Sequence, residues 1–311
     1  MKIAILYDYS IEDYLQYGEE KYWSTPKSIY NAFKYSELVQ HIRSFPLPPN
    51  NREFGFYELK KLYDDQIFVP QIILWMSCGL GPDHLFKKEN FPESKLIVDC
   101  GDEPQTLRYN QERIKHADLI LTPGIECHNY YKNNDYNSIF TAHWADTNIF
   151  YPSLTDYSPF DVVTSVCGDR GEIIPFLQRH LDKSFYLKNN LVDIENGDLF
   201  RNGKIILQVA RFGEISRRIF EGMACKKLVI TNRLSPNKKL DSIFIENKEI
   251  IFYDTKEEAL EKIVYYLDNP IEREKIAIEG CNKVMKQYTS KNIVKYIIDF
   301  YKSNIAEISQ S

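Results

Sequence analysis

The chain has no cysteines at the spacing that zinc sites or redox pairs need. Its six cysteines, Cys78, Cys100, Cys127, Cys167, Cys225 and Cys281, form no C-x-x-C and lie beside apolar segments, which argues against a zinc site and a disulfide framework. No apolar run approaches a length that could span a bilayer. The start, MKIAILYDYS, passes directly into a strand pattern with too short an apolar run for a secretory leader, so a cytoplasmic protein without a transmembrane segment is expected. Excess positive charge is missing too: 39 Lys and Arg against 44 Asp and Glu leave a net charge of -5, so no strong field draws the chain to nucleic acid. The first strand is not followed by G-x-G-x-x-G but by DYSIED, which weakens a nicotinamide-dependent reading. No Walker A sequence is present, which weakens an NTPase reading, and no Asp-x-Asp occurs to hold a divalent metal on a diphosphate. There is no solenoid repeat and no low-complexity segment.

What is present is ordinary globular material, 43% hydrophobic and 27% charged over 311 residues. That length suggests two domains of about 150 residues each. Apolar runs at Lys2 to Tyr7, Gln71 to Trp75, Lys95 to Asp99, Asp118 to Thr122 and Ser138 to Thr141 read as buried strands. A helix is expected from Pro26 to Ile42, on the spacing of Ile29, Phe33, Leu38 and Ile42, then a proline-rich loop from Phe45 to Pro49. A short helix is expected to carry His116. Several strands run into loops rich in Gly, Asp, Glu and His, and the alternation of strands and helices implies an α/β fold with doubly wound parallel sheets.

The run from Asn148 to Phe160 (NIFYPSLTDYSPF), with two prolines and little periodicity, reads as the boundary. The expected division is 1–155, 156–290 and a last helix, 291–311, returning to the first domain. The second domain restarts with Asp161 to Val166, followed by a helix from Ile173 to Leu181. Shorter strands follow near Ser184 to Leu187, at Lys204 to Val209 and at Glu249 to Tyr253, and three helices close the chain.

The stretch SRRIFEGMACKKLVIT, Ser216 to Thr231, follows the strand Lys204 to Val209 and the loop ARFGEI, giving strand, loop, helix, strand. A helix start is a natural anion site, because its first N–H groups lack partners and the peptide dipoles favour negative charge there. Ser216 suits the cap, and Arg217 and Arg218 carry guanidinium forks that match phosphate oxygens. Glu221 stands about 7 Å further along the axis, at about 1.5 Å per residue, where a carboxylate can accept from ribose hydroxyls. The plainer alternative is a capped helix with solvated i,i+4 pairs.

These residues carry a resemblance. SRRIFEGMACKKLVIT, together with IFYDTKEEALEKIVYYLDNPIEREKIAIEGCNKVMKQYTSKNIV, resembles the C-terminal half of GT-B glycosyltransferases, and most of all the spore-maturation CgeB-like group near glycosyltransferase family 4. HADLILTPGIECHNYYKNNDYNSIFTAHWADTNIFYP resembles the end of the N-terminal domain in the same family. The resemblance implies two Rossmann-like domains facing a cleft. It also implies a nucleotide-diphosphate sugar as donor substrate with no further cofactor, and transfer of a hexosyl or pentosyl group with retention and without a metal. It places Glu221 on the donor ribose, Ser216, Arg217 and Arg218 at the diphosphate, and Arg170, in CGDRG, on the phosphates. Two departures stand out. The second family glutamate falls on Gly213, with Glu214 one residue off, and the glycine after the A-C pair is Lys226. The acceptor, a glycan, protein or small molecule, is expected on the first domain. Candidate acceptor-side bases are Asp102, Glu103, His84 and His143, with Asp102 and Glu103 favoured because they directly follow a strand. Trp144 beside His143 could stack on a sugar or be a core aromatic. Rival readings are a non-catalytic nucleotide-sugar-binding protein, a sugar-nucleotide epimerase, and a DNA-modifying transferase, the last disfavoured by the net charge.

Overall fold

The computed structural model describes residues 1–7, 24–47, 52–77, 86–155, 157–166, 168–189, 193–211 and 213–308. The chain divides into two compact units. One comprises Met1–Ala142 with Ile293–Ser311, the other His143–Asn292. Residues 143–155, expected on the first domain, therefore group with the second.

The first unit runs β1 (Lys2–Tyr7), α1 (Ser24–Lys34), β2 (His41–Pro46), α2 (Arg52–Asp64), β3 (Ile72–Ser77), β4 (Lys95–Cys100), α3 (Leu107–Ile114), β5 (Leu119–Thr122), α4 (Ile125–Asn133) and β6 (Ser138–Phe140). Its six strands lie parallel in the order β2-β1-β3-β4-β5-β6. Covered on both faces, such a sheet selects continuous apolar strands, and all four residues of β5 are buried. The expected helix to Ile42 is corrected here. It ends at Lys34, the chain turns through Ser36 and Val39, and residues 41–46 pair along β1, with Ile42 opposite Ile3. Parallel pairing satisfies that backbone in one stretch, which outweighs a helical spacing whose Leu38 is half exposed. Phe45 and Pro46, expected in a loop, complete β2. His116 lies in the turn after α3 rather than on it.

The second unit contains β7 (Phe160–Val166), α5 (Ile173–His180), β8 (Phe185–Asn189), α6 (Asp193–Asn202), β9 (Gly203–Gln208), α7 (Arg217–Ala224), β10 (Leu228–Asn232), α8 (Leu240–Ile243), β11 (Ile251–Tyr253), α9 (Lys256–Asp268) and α10 (Pro270–Gln287). Its five strands are parallel in the order β11-β10-β9-β7-β8. One face packs Val162, Ile205, Leu207, Leu228 and Ile230 against residues of α5, α9 and α10. The other face carries Ile206 and Val229 towards α7, whose Gly222 fits because a β-carbon there would stand 2.7 Å from Ile206 Cδ1.

The last helix, α11 (Ser290–Ile308), begins where the second unit ends. The Oη of its Tyr301 accepts from Gln71 Nε2 at 3.1 Å, within the first unit. The segment entering the second unit and the one leaving it are tied side by side. Ala145 N–H donates to the Tyr288 carbonyl and Ser290 N–H to the Ala145 carbonyl, both at 3.0 Å.

Candidate functional site

In the second sheet, β8 lies on one side of β7 while β9, β10 and β11 follow on the other, so the strand order reverses between β7 and β9. At such a switch point the loops leaving the two strands diverge and open a crevice at their carboxyl ends. The loop after β9 leads directly into α7.

Ser216 caps α7 in extended backbone (φ -94, ψ 138), and its side chain accepts from Arg218 N–H at 3.3 Å. Arg217 Nε donates to Glu221 Oε1 at 2.7 Å, one turn on. The Glu221 side chain is 3% exposed, so this pair is largely withdrawn from water, and breaking it leaves an uncompensated buried charge. Through this bond Arg217 orients Glu221. Gly213 has φ +67, a left-handed turn, so it supplies the bend of the loop where the resemblance would have a carboxylate; Glu214 beside it is partly buried. Arg170 folds back on its own loop, its Nη1 donating to the Asp169 carbonyl at 3.0 Å.

Two features of this edge were not legible in sequence. Arg211, in the loop after β9, reaches across to the loop after β7: a β-carbon on Gly168 would stand 3.2 Å from its Cζ. Beneath α7, alternation along the strands puts Ser165 and Thr231 on the face of Ile206 and Val229. Their buried hydroxyls have no hydrogen-bond partner among the described residues, and such groups ordinarily find one in water or ligand.

His143 was expected on the acceptor side; it belongs to the second unit. Its ring packs edge-on to Phe220 of α7 at 6.3 Å. Burial first, then the nearby Arg217 charge, lower its pKa to about 3, against a hydrogen bond with the Ile215 backbone that favours the protonated ring. It is a neutral ring bracing the start of α7. Trp144 is 3% exposed and is a core aromatic.

In the first unit, Glu103 is buried and accepts from Asn110 Nδ2 at 2.8 Å, Thr122 Oγ1 at 2.5 Å and Tyr131 Oη. Both its oxygens are engaged across α3, β5 and α4, as in a buttress rather than an available base. Asp102 is exposed and left-handed (φ 57). His84 lies outside the described residues. The sequence reading passed over Asp99, at the carboxyl end of β4. It is 5% exposed, and no hydrogen bond reaches its carboxyl among the described residues. Burial, then the charges of Glu103 and Asp102, push it up to about 8. Among the described residues no cluster of His, Cys, Asp and Glu is arranged to hold a metal, and no helix is long and apolar enough to cross a membrane.

With this geometry in hand, comparison with known proteins is informative. Residues 183–299 match a family described as glycosyl transferase-like. Those bounds contain β8 to β11, the Arg211 loop and all of α7. Among solved structures, a sucrose-phosphate synthase from Thermosynechococcus elongatus is similar at 10% identity, covering 99% of this chain and 100% of its own, with a TM-score of 0.63. Anabaena Alr3699/HepE, solved in complex with UDP and glucose, is similar at 11% identity, covering 96% and 99%, with a TM-score of 0.66. The fold is GT-B. A putative UDP-N-acetylglucosamine 2-epimerase from Listeria monocytogenes shares it at 12% identity, covering 99% and 98%, with a TM-score of 0.59. No curated protein sequence matches the chain.

Proposed function

We propose that the chain is a glycosyltransferase that moves a sugar from a nucleotide-diphosphate donor to an acceptor hydroxyl. The observation that carries this reading is the capped start of α7 with its Arg217–Glu221 pair, set beside a switch point within the stretch that matches the glycosyl transferase-like family. Glu221, held by Arg217, takes the donor ribose through its remaining capacity to accept. The diphosphate lies against the N–H groups and arginines at the start of α7. In transfer, the bond between the sugar's anomeric carbon and the phosphate oxygen breaks, and the diphosphate leaves with the electron pair. A bond to the acceptor oxygen forms, and the acceptor proton passes to a base or to the leaving phosphate. Fixed donors aimed at the charge that develops on the leaving oxygen lower the barrier to this step.

By resemblance to the CgeB-like group and glycosyltransferase family 4, the reaction is read as retaining, and as metal-independent because arginines and a helix start stand where charge must be met. The acceptor is a glycan, protein or small molecule held by the first unit; nucleic acid is disfavoured by the net charge of -5. Within the first unit, Asp99 replaces Glu103 as the preferred acceptor-side base.

Thermal-shift screening against UDP-, GDP-, dTDP- and CMP-linked sugars tests the reading. A donor at about 100 times its Kd stabilises the native state by about 2.7 kcal/mol. The raised melting temperature should vanish in Glu221→Ala, and turnover of the stabilising donor should persist in EDTA. A screen with no stabilising nucleotide sugar would sink the proposal. Because the Listeria protein named as an epimerase shares this fold, product analysis distinguishes the chemistry: a transferred or hydrolysed sugar supports it, and an epimerised, still nucleotide-linked sugar replaces it.

A further inference from the structure

The helix that carries Ser216 and Glu221 is anchored by Phe220, whose ring is fully buried. Three rings from segments far apart in sequence close on it. Tyr288, directly after α10, stands 5.3 Å away between ring centroids, Phe244, directly after α8, 5.4 Å, and His143 6.3 Å and edge-on. Phe244 and Tyr288 also meet each other at 6.0 Å. Tilted and edge-to-face rings at such separations attract one another beyond the area they bury. His143 has a second hold on the same helix, a hydrogen bond with the Ile215 backbone. That bond favours the protonated ring, so the imidazole donates and the Ile215 carbonyl accepts. Ile215 directly precedes the cap, Ser216. His143 is the first residue of the second unit, and Tyr288 lies close to its last, Asn292. Their segments are joined by the two backbone hydrogen bonds of Ala145, so the entering and leaving chain close on α7 together.

We propose that His143 and Tyr288 are positioning residues for the donor site: the chain entering the second unit and the chain leaving it clamp Phe220, and thereby hold Ser216 and Glu221 where a nucleoside diphosphate needs them. This rests on the donor site proposed above and adds to it two side chains that touch no ligand. Ser216 opens the helix that meets the diphosphate, and Glu221, which takes the ribose, directly follows Phe220. A slide or roll of α7 moves both at once, and a small misplacement of groups that must meet a ligand in fixed geometry is costly.

Calorimetry with UDP on the full chain tests the assignment, and a melt of each variant without ligand shows whether the fold is kept. His143→Leu keeps an apolar side chain against Phe220 but removes the donor to Ile215, and it should weaken UDP by about tenfold, the equivalent of one hydrogen bond. His143→Gln, which can still donate, should recover most of that loss. Tyr288→Leu, which takes a ring from the other side of Phe220, should weaken UDP in the same direction. In a Ser216→Ala chain, adding His143→Leu should cost less affinity than it does in the parent, because both act through one helix start. Fully additive losses would mean that His143 does not act through the start of α7. If a leucine variant does not melt cooperatively, His143→Phe, which keeps a ring on Phe220 and loses only the donor, takes its place under the same criterion. If the folded variants bind UDP within about twofold of the parent while Glu221→Ala loses it, the clamp positions nothing and the donor site stands. If the parent chain does not bind UDP, both fall together.

Discussion

Asp99 and Glu103 stand four residues apart at the end of β4, and burial raises both, yet their surroundings give them opposite characters. Glu103 is surrounded by donors that favour its charged form; Asp99 has none among the described residues. An unfolded aspartate loses its proton near pH 4, whereas Asp99 in the folded chain holds it until about 8. Between those values the native state binds the extra proton, so stability is full below the unfolded value and declines as pH rises through the folded one. Asp99→Asn keeps the shape and removes the titration. The variant should gain stability over the parent at pH 8, by on the order of 5 kcal/mol, at about 1.4 kcal/mol for each pH unit of the window, with the gain shrinking towards pH 4. Urea unfolding across that range measures it, and a constant difference would show that Asp99 does not retain its proton. If Asp99 is also the acceptor-side base, the same substitution lowers turnover while leaving donor binding intact.

At the scale of elements, α7 is the most telling piece. Its last residues, Met223 and Ala224, and its C-cap, Cys225, are buried, and the chain then turns at Lys226, which has φ +58. That left-handed position normally belongs to glycine, and a side chain there costs roughly 1–2 kcal/mol. Lys226→Gly relieves the strain and gives back part of the gain through greater freedom of the unfolded chain, about 0.4–1 kcal/mol. The net expectation is a gain of about 0.5–1 kcal/mol in urea unfolding, with UDP affinity unchanged, since Lys226 lies at the opposite end of the helix from Ser216. An unchanged or lower midpoint would contradict it. The same helix shows why some of the chain was legible. Its cap, its arginines and Glu221 are local signals, and local geometry obeyed them. The buried strands β1, β3, β4, β5 and β7 were also legible, because a sheet covered on both faces writes itself as unbroken apolar runs. β2 was not, because HIRSFP at a sheet edge is only partly buried and Ile42 happens to fall at helical spacing from Leu38. The helices α2 and α4 were given no assignment from the sequence. Asp99's burial, His143's place beside α7 and the reach of Arg211 to Gly168 arise from packing between segments distant in sequence, which no local pattern records.

At the scale of the molecule, the two units differ in how the chain builds them. The second is one continuous segment, His143–Asn292, containing all of β7 to β11 and every donor-side residue named above. The first is discontinuous, and it depends on the chain's return as α11. That helix contributes Ile293, Val294, Ile297, Ile298 and Tyr301, all buried. At about 1.5–3 kcal/mol for each large apolar side chain, their burial contributes on the order of 10 kcal/mol as an upper bound. That equals the whole net stability of an ordinary domain, roughly 5–15 kcal/mol. Residues 143–292 expressed alone should therefore melt cooperatively and bind UDP with nearly the affinity of the full chain. Residues 1–142 alone should show no cooperative transition, and adding a peptide of residues 290–311 should restore one. Circular dichroism melts of the two fragments decide the matter. A cooperative melt of 1–142 without the peptide would mean that the first sheet is stable without its closing helix. Loss of UDP binding by 143–292, with its fold intact, would mean that donor recognition draws on residues outside the second unit.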